Sequence, residues 1–538
     1  MIRNGMKFSV FLGIYIAFSL FFHQGPLINW LDAIVDFSSL SGLLAFLFIE
    51  SLSVLLWILI LTPMFFISMK LGKLIAIILL ILNATATFWM SSLGIVINQE
   101  LIASLFFTDY SEASEFLNLE YLIHLFIFGL IPSAVVAFVP IKPITRIRLA
   151  LYPIGSIAML AVITSLNPTL TDWVDDNGAY LGSRLLPWSY IGKTIGYAQD
   201  MRKGYYSRYY GEFSQLPDGA AADEEPGLVV SVIGESSRAA SYSYYGYERP
   251  INQATQKAGY IALPKSRSCY TSTMITTGCI LSVNGRNDWK EEATEPLPSY
   301  LHRLGIKTFV RTNNTEMPRL NVGNYQTSTQ LANVCVTEIC SDYNVLKCDQ
   351  AFCVERYFDN MLLANLGPIL ETAKTEKVFL LLHFRGSHGP NYSDRSPKDF
   401  TPYSPSCDAH VTQCDLEALI NSYDNSTIFT DKTLAGLAQI LYDEDELSSV
   451  VLYLSDHGQS LGENGSYMHG ASPAEAPIEQ LEIPFLIWMS DAFKKSRDTS
   501  GVATKPVPAQ DATFHSILGA LNVVGGPYLS ERDIFYVE

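Results

Sequence analysis

A chain of 538 residues is longer than one ordinary hydrophobic core organises, and its formal charge of −17 argues against a nucleic-acid partner, which needs a basic stripe. The 49% of hydrophobic residues are unevenly spread, dense before residue 170 and patterned after it, so the chain divides into parts that meet different solvents.

Five apolar stretches occupy residues 8–24, 43–67, 73–93, 121–141 and 149–166. Most approach the ~20 residues that a helix needs to cross a bilayer. The first follows Arg3 and Lys7 and also reads as a secretory signal, but no small-x-small cleavage pattern comes after it and four more spans do, which favours an uncleaved anchor. Arg3 and Lys7, then Lys70 and Lys73, then Lys142, Arg146 and Arg148 mark the N-terminus and alternate loops as cytoplasmic. The intervening loops are acidic, with Asp32 and Asp36, then Glu100, Asp109, Glu112, Glu115 and Glu120. Residues 1–168 are therefore expected to form a five-helix transmembrane domain that leaves the rest of the chain outside the cytoplasm. Residues 169–226 combine Trp173, Trp188 and several Tyr with Arg202, Lys203 and Arg208. This suits a bridge along the membrane surface, and equally a linker whose aromatics pack on the next domain.

From 227 to 538, short apolar runs alternate with helical patterns. Val229-Val230-Ser231-Val232-Ile233, Val378-Phe379-Leu380-Leu381-Leu382 and Val450-Val451-Leu452-Tyr453-Leu454 read as buried parallel strands, which predicts a doubly wound α/β sheet with helices on both faces. Ligands of such sheets sit beyond the carboxyl ends of the strands, so Glu235, His388, Asp456 and His457 are expected to converge. All eight cysteines follow residue 268, in the close pairs Cys269/Cys279, Cys335/Cys340, Cys348/Cys353 and Cys407/Cys414. Four local disulfides are the simplest scheme, and they agree with an oxidising, periplasmic location. The competing structural zinc site lacks a C-x-x-C pair. Residues 334–354 are expected to be an insertion held by its own disulfides.

Glu235, Asp456 and His457 form a hard-oxygen and imidazole set suited to Zn²⁺ or Mn²⁺. Thr271-Ser272-Thr273 precedes a predicted helix starting near Thr273, where a phosphate would meet free N–H groups and the positive helix end. A divalent cation beside a Thr hydroxyl eases loss of its proton and makes it a nucleophile at neutral pH. Each residue alone has an ordinary reading: Glu235 as a helix cap, Asp456-His457 as a turn, the Thr-Ser-Thr cluster as commonplace. Their joint placement at strand ends favours chemistry. Of nine histidines, His383, His388, His457 and His469 fall within or just after strand-end segments. His388 and His469 suit a substrate phosphate, a second metal or protonation of a leaving oxygen, whereas His302, His383, His410 and His515 read as structural.

Gly234-Glu235-Ser236-Ser237-Arg238, Cys269-Tyr270-Thr271-Ser272-Thr273, Ser387-His388-Gly389-Pro390, Tyr423-Asp424-Asn425 and the long string from Ser455-Asp456-His457 to Gly465, with His469-Gly470, resemble one family. It is that of the membrane-anchored phosphoethanolamine transferases that modify lipid A and other lipopolysaccharide groups, including the mobile colistin-resistance enzymes. The resemblance implies a catalytic domain of the alkaline phosphatase and sulfatase type, with Thr273 as nucleophile. It implies that Glu235, Asp456 and His457 join Thr273 around one Zn²⁺, leaves a second ion open, and puts His388 and His469 on the phosphoryl group. In the family's reaction the Thr attacks the phosphorus of phosphatidylethanolamine, diacylglycerol leaves, and a phosphate or sugar hydroxyl of the acceptor lipopolysaccharide takes the phosphoethanolamine. Such an enzyme is expected to act as a monomer in the bacterial inner membrane, with its catalytic domain in the periplasm. On lipid A the added ammonium would lower the anionic surface charge and weaken polymyxin binding.

Two departures concern recognition rather than chemistry. Thr312-Asn313-Asn314 has Thr where the family often shows an acidic residue, which bears on Asn314 as a substrate-binding residue. Thr108–Ala113 resembles the family's headgroup loop, implying that Glu112 pairs with the ethanolamine ammonium, but Ser104 stands where an Asn is usual. A glycerol-phosphate transferase of the lipoteichoic acid synthase type shares the spans, the Thr and the fold, but usually takes manganese and needs no four disulfides. A sulfatase or phosphodiesterase needs no five-helix anchor. A membrane sensor binding a phosphorylated ligand without turnover would lose the ligand set freely. The acceptor stays open among lipid A phosphate, core heptose and Kdo.

Overall fold

The computed structural model describes residues 5–108, 110–203, 212–213, 225–287, 294–314, 317–335, 358–504 and 508–537. Cys340, Cys348 and Cys353 lie outside these, as do the side chains of Cys335 and Glu112. The chain divides into two compact units, Met1–Phe106 with Ser111–Ala198 and Phe107–Tyr110 with Gln199–Glu538, so the main boundary falls within the segment 169–226.

The first unit is helical. Among the described residues, four helices are long and apolar enough to cross a membrane: α3 (Leu40–Ile67), α4 (Met69–Leu93), α5 (Leu119–Phe138) and α6 (Arg146–Leu166). Before them, α1 (Phe8–His23) and α2 (Gly25–Ile34) meet at 58° and make a fifth span if taken together. Pro26, in the first turn of α2, starts a new helix because it has no N–H to continue the old one. Ser39 and Ser68 cap α3 and α4, accepting from Gly42 N and Leu71 N at 3.0 Å each. The interior is aromatic: Phe8 meets Phe65 edge-on at 5.1 Å, Tyr15 meets Trp57 at 5.4 Å, and the Tyr15 hydroxyl donates to Ala76 O at 2.8 Å.

The second unit is built on a seven-stranded sheet. Its strands are β1 (Gly227–Gly234), β2 (Ile261–Ala262), β3 (Lys307–Thr312), β4 (Asn324–Thr327), β5 (Lys377–His383), β6 (Ser449–Ser455) and β7 (Phe485–Met489), in the order β2-β7-β6-β1-β5-β3-β4. β1, β3, β4, β5 and β6 run parallel, while β7 is antiparallel to both β6 and β2. That reversal is invisible in the sequence, because Phe485–Met489 is buried throughout and reads the same in either direction.

Alternate residues serve opposite faces. Val229, Ile233, Phe379, Leu381, Val450 and Leu452 join one core with α7 (Thr273–Leu281) and α9 (Ala509–Ala520). Leu228, Val230, Val232, Leu380, Leu382 and Val451 join the other with α8 (Leu416–Tyr442). Cys269–Cys279 and Cys407–Cys414 are disulfide-bonded.

Candidate active site

Sheet register brings the three chemistry-bearing strand ends level. Gly234 lies opposite Ser455 and Ile233 opposite His383, and Asp456 N donates to Gly234 O at 3.0 Å. Directly after β1 the chain turns through Ser236, whose φ of +56° is left-handed and costly for a residue with a Cβ. Three contacts hold it there: Ser236 N donates to Asp456 Oδ1 at 3.1 Å, the Tyr423 hydroxyl donates to Ser236 O at 2.7 Å, and Arg238 N donates to that hydroxyl at 3.0 Å. Gly386 packs so closely under the turn that a Cβ would come within 2.5 Å of Glu235 O.

Thr273 is the first residue of α7 and is buried, as are Glu235, Asp456 and His457. Its Oγ1 donates to Glu235 Oε2 at 3.0 Å and stands 3.2 Å from His457 Nε2. Glu235 Oε2 also accepts from Asn314 Nδ2 at 2.9 Å, and Oε1 accepts from the Ser236 hydroxyl at 2.6 Å. His457 Nδ1 donates to Gly458 O at 2.8 Å, so its Nε2 lone pair points into the cluster, 3.1 Å from Asp456 Oδ2 and 3.5 Å from Glu235 Oε1. Asp456 Oδ1 accepts from His457 N at 2.6 Å, while Oδ2 is buried without a hydrogen-bond partner among the described residues.

A hydroxyl, two carboxylates and an imidazole lone pair thus face one point with one carboxylate oxygen unsatisfied. Burial, then repulsion from Asp456, pushes the Glu235 carboxyl up to about 8, and burial pushes Asp456 up to about 7. Burial lowers His457 and favours its neutral form. Such a set is strained unless protons or a cation neutralise it, and its donors fit Zn²⁺.

His469 is near enough to share the cluster: ligand atoms of Glu235, His457 and His469 lie within 4.8 Å of one another. Its ring centroid is 4.2 Å from that of His457 and 5.4 Å from that of His388. His388 is half-buried, its carbonyl accepting from Arg395 Nε at 2.5 Å, and burial with the nearby Arg395 and Arg385 lowers its pKa well below the usual range. Asn314 reaches the site because the Thr312 hydroxyl closes a tight turn, donating to Asn314 O at 2.5 Å and accepting from Asn314 N at 3.0 Å. Thr312 therefore does here, with a neutral group, the local work of aiming Asn314. Glu112 belongs to a short helix, Tyr110–Glu115. His383 and His515 are fully buried, in keeping with structural roles.

Three further residues support the site; Asp359 and Gln510 carry no clear sequence signal, while Gln459 lies within the string from Ser455 to Gly465 that carries the resemblance. Asp359 accepts from Asn313 Nδ2, Arg385 N and Gly386 N at 2.9, 2.7 and 2.8 Å, fixing the loop that leads to His388. Gln459 lies 2.8 Å from His469 Nδ1 through Oε1 and donates to the Tyr392 hydroxyl at 2.7 Å. The third, Gln510, touches both the Thr273 loop and the Asp456 backbone. Ser236, by contrast, was readable as the neighbour of Glu235.

A mostly parallel sheet that carries two carboxylates and an imidazole to its strand ends, beside a helix-borne hydroxyl, places the second unit in the sulfatase-like α/β class. The Sulfatase family model matches residues 228–523. In front of it, residues 53–201 match the model described as phosphoethanolamine transferase EptA/EptB. The chain is 30% identical over 459 residues to phosphoethanolamine transferase EptA of Helicobacter pylori, covering 84% of this chain and 82% of that one. It is 27% identical over 471 residues to phosphatidylethanolamine transferase Mcr-1 of Escherichia coli, covering 84% of each. The integral membrane lipooligosaccharide phosphoethanolamine transferase A (EptA) from Neisseria meningitidis has the same fold, with a TM-score of 0.82 at 23% identity over 98% of both chains. The chain belongs to the phosphoethanolamine transferase family and is an enzyme.

Proposed function

We propose that the protein transfers phosphoethanolamine from phosphatidylethanolamine to a lipopolysaccharide acceptor, lipid A foremost, through an ester on Thr273. The observation that carries this reading is the Thr273 hydroxyl at a helix N-terminus, 3.0 Å from the Glu235 carboxylate and 3.2 Å from His457 Nε2. The names of the relatives, which include Kdo(2)-lipid A phosphoethanolamine 7''-transferase of Escherichia coli, support donor and acceptor class alike.

Thr273 Oγ1 gives up its proton along its hydrogen bond to Glu235 Oε2 and attacks phosphorus. The bond from phosphorus to the diacylglycerol oxygen breaks, and that oxygen takes a proton from solvent on the side of His388 and His469, which hold the phosphoryl oxygens and, with pKa values lowered by burial, stay neutral. The acceptor oxygen then attacks the same phosphorus, any proton it carried passing to solvent, the bond from phosphorus to Thr273 Oγ1 breaks, and Thr273 takes back the proton held by Glu235. The Zn²⁺ that Glu235, Thr273, Asp456 and His457 would hold supplies the positive charge that eases loss of the hydroxyl proton and offsets negative charge in the transition state. The α7 N-terminus adds backbone N–H groups on the phosphoryl side. Residues 1–168 anchor the enzyme in the inner membrane as a monomer, 169–226 bridge along its outer surface, and 227–538 work in the periplasm. With lipid A as acceptor, the product binds polymyxins less well.

The test uses detergent-purified enzyme with phosphatidylethanolamine and no acceptor, followed by peptide mass spectrometry. A phosphoethanolamine adduct on Thr273 is expected. A glycerol-phosphate adduct formed from phosphatidylglycerol instead would convert the enzyme into a glycerol-phosphate transferase, and no adduct with any lipid would make the domain a sensor.

A further inference from the structure

We propose that Gln510 is a positioning residue, a buried amide that fixes the nucleophile's loop against the strand end bearing Asp456 and His457 and thereby sets where Thr273 stands. This rests on the reading of Thr273 as the group that accepts phosphoethanolamine.

Glu235 and Asp456 are held relative to one another by the ladder between β1 and β6. Thr273 sits on a helix that follows a loop outside the seven-stranded sheet; Ser266 and Arg267 of that loop ladder to Ile483 and Glu482, and Ser268 N donates to Leu481 O at 2.8 Å, but among the described residues no ladder joins residues 269–273 to the strand end bearing Asp456. The Cys269–Cys279 disulfide ties that loop to its own helix, not to the sheet. Gln510, in the first turn of α9 and fully buried, spans the gap. Its Oε1 accepts from Cys269 N at 2.6 Å, and its Nε2 donates to Asp456 O at 2.6 Å.

Only one orientation of the amide works, because the reverse would set N–H against N–H and oxygen against oxygen. Both contacts are short, and the mount is stiff. On one side of Gln510, Ala509 N donates to the Ser266 hydroxyl at 2.7 Å; on the other, Asp511 accepts from Arg286 N at 2.7 Å and from Arg286 Nε at 2.9 Å. Three consecutive residues of α9 thus pin three separate segments, and the middle one links the nucleophile's loop to the peptide that joins two metal-binding residues. A displacement of ~1 Å at a reacting atom costs about 10²-fold in rate, so this link bears on chemistry more than on lipid binding.

The experiment compares full-length wild type with Gln510→Met, which keeps the volume and drops both hydrogen bonds, and Gln510→Glu, which keeps the acceptor for Cys269 N and loses the donor to Asp456 O. All are saturated with zinc, and the single-turnover rate of adduct formation on Thr273 is measured per zinc-loaded molecule, together with KM for phosphatidylethanolamine. We expect the rate to fall at least about fivefold in both variants while KM stays within about twofold. A smaller fall in either folded variant overturns the proposal, even if yield or melting temperature drops, because Gln510 would then serve folding alone. A KM that rises with an unchanged rate also overturns it. Should Gln510→Met not fold, Gln510→Glu decides by itself. Absence of the adduct in wild type would instead refute the covalent transfer reading, so the two failures are distinguishable.

Discussion

The two units treat the same residue types in opposite ways. On α6, Leu151, Ile154 and Ile157 are 59%, 60% and 57% exposed, whereas Leu381, Leu452 and Leu454 in the sheet are at 0%. A leucine directed outward is costly in water and costs nothing in hydrocarbon, so the first unit is built for a lipid surround and the second for an aqueous one. Polar burial differs as well. In the helical unit it is dispersed, as where the Tyr190 hydroxyl donates to Asn83 Oδ1 at 2.8 Å. In the second unit it includes two carboxylates, those of Glu235 and Asp456, that share a buried pocket at the strand ends. Burial of two like charges together is a cost that folding alone does not repay, which supports the proposal that chemistry is done there.

The sharpest way to break this contrast is Thr273→Ala. We expect adduct formation to fall by more than about 10³-fold while thermal unfolding is little changed, since the cluster would then serve reaction rather than stability. Retained activity would remove Thr273 as nucleophile. Next in size is the response of the metal-free protein to pH. Glu235 and Asp456 have folded pKa values raised above their unfolded ones, so their neutral forms favour the fold, and that contribution declines as pH climbs from the ordinary carboxylate range to about 8. Zinc held as proposed by these carboxylates would displace those protons, so its apparent affinity should rise about tenfold per pH unit for each proton displaced, and the melting-temperature gain from zinc should grow between pH 6 and 8. A zinc effect that is flat with pH would contradict this.

Packing differences come third. Leu452→Ala should destabilise the catalytic domain by about 2–5 kcal/mol, by cavity formation in a fully buried sheet. Gly458→Ala should cost about 1–3 kcal/mol, because its Cβ would sit 2.0 Å from Glu479 O, and denaturant midpoints would register both. Leu151→Ala on α6 should shift stability by no more than about 0.5 kcal/mol, the smallest effect of the set. If it cost as much as Leu452→Ala, the outward face of α6 would be a packed interface and not a lipid surface.

Much of this was legible in the chain. The apolar stretches at 43–67 and 73–93 became α3 and α4 almost residue for residue, because a membrane helix is long, continuous and locally encoded. The runs ending at Ile233, Leu382 and Leu454 became β1, β5 and β6 for a similar reason, a short apolar segment closed by polar residues. Glu235, Asp456 and His457 were recognisable by their place just past those runs, and Thr273 by its place at the head of a helix. The direction of β7 left no trace, since a strand buried on both faces has no polarity in its composition. Asp359 and Gln510 left none either, because a lone Asp before a loop and a lone Gln in an apolar helix are ordinary until their partners are known.

The sequence by itself therefore determined the membrane helices, the α/β alternation and the chemical types present at strand ends, all of which depend on neighbours a few residues apart. Tertiary structure alone decided that Thr273 stands 3.0 Å from Glu235 and 3.2 Å from His457, that Ser236 is forced left-handed between two carboxylates, and that Gln510 bridges Cys269 to Asp456. Those are distances between segments remote in the chain, and they are set by sheet register and by the packing of α7 and α9 on one face, which no local pattern encodes.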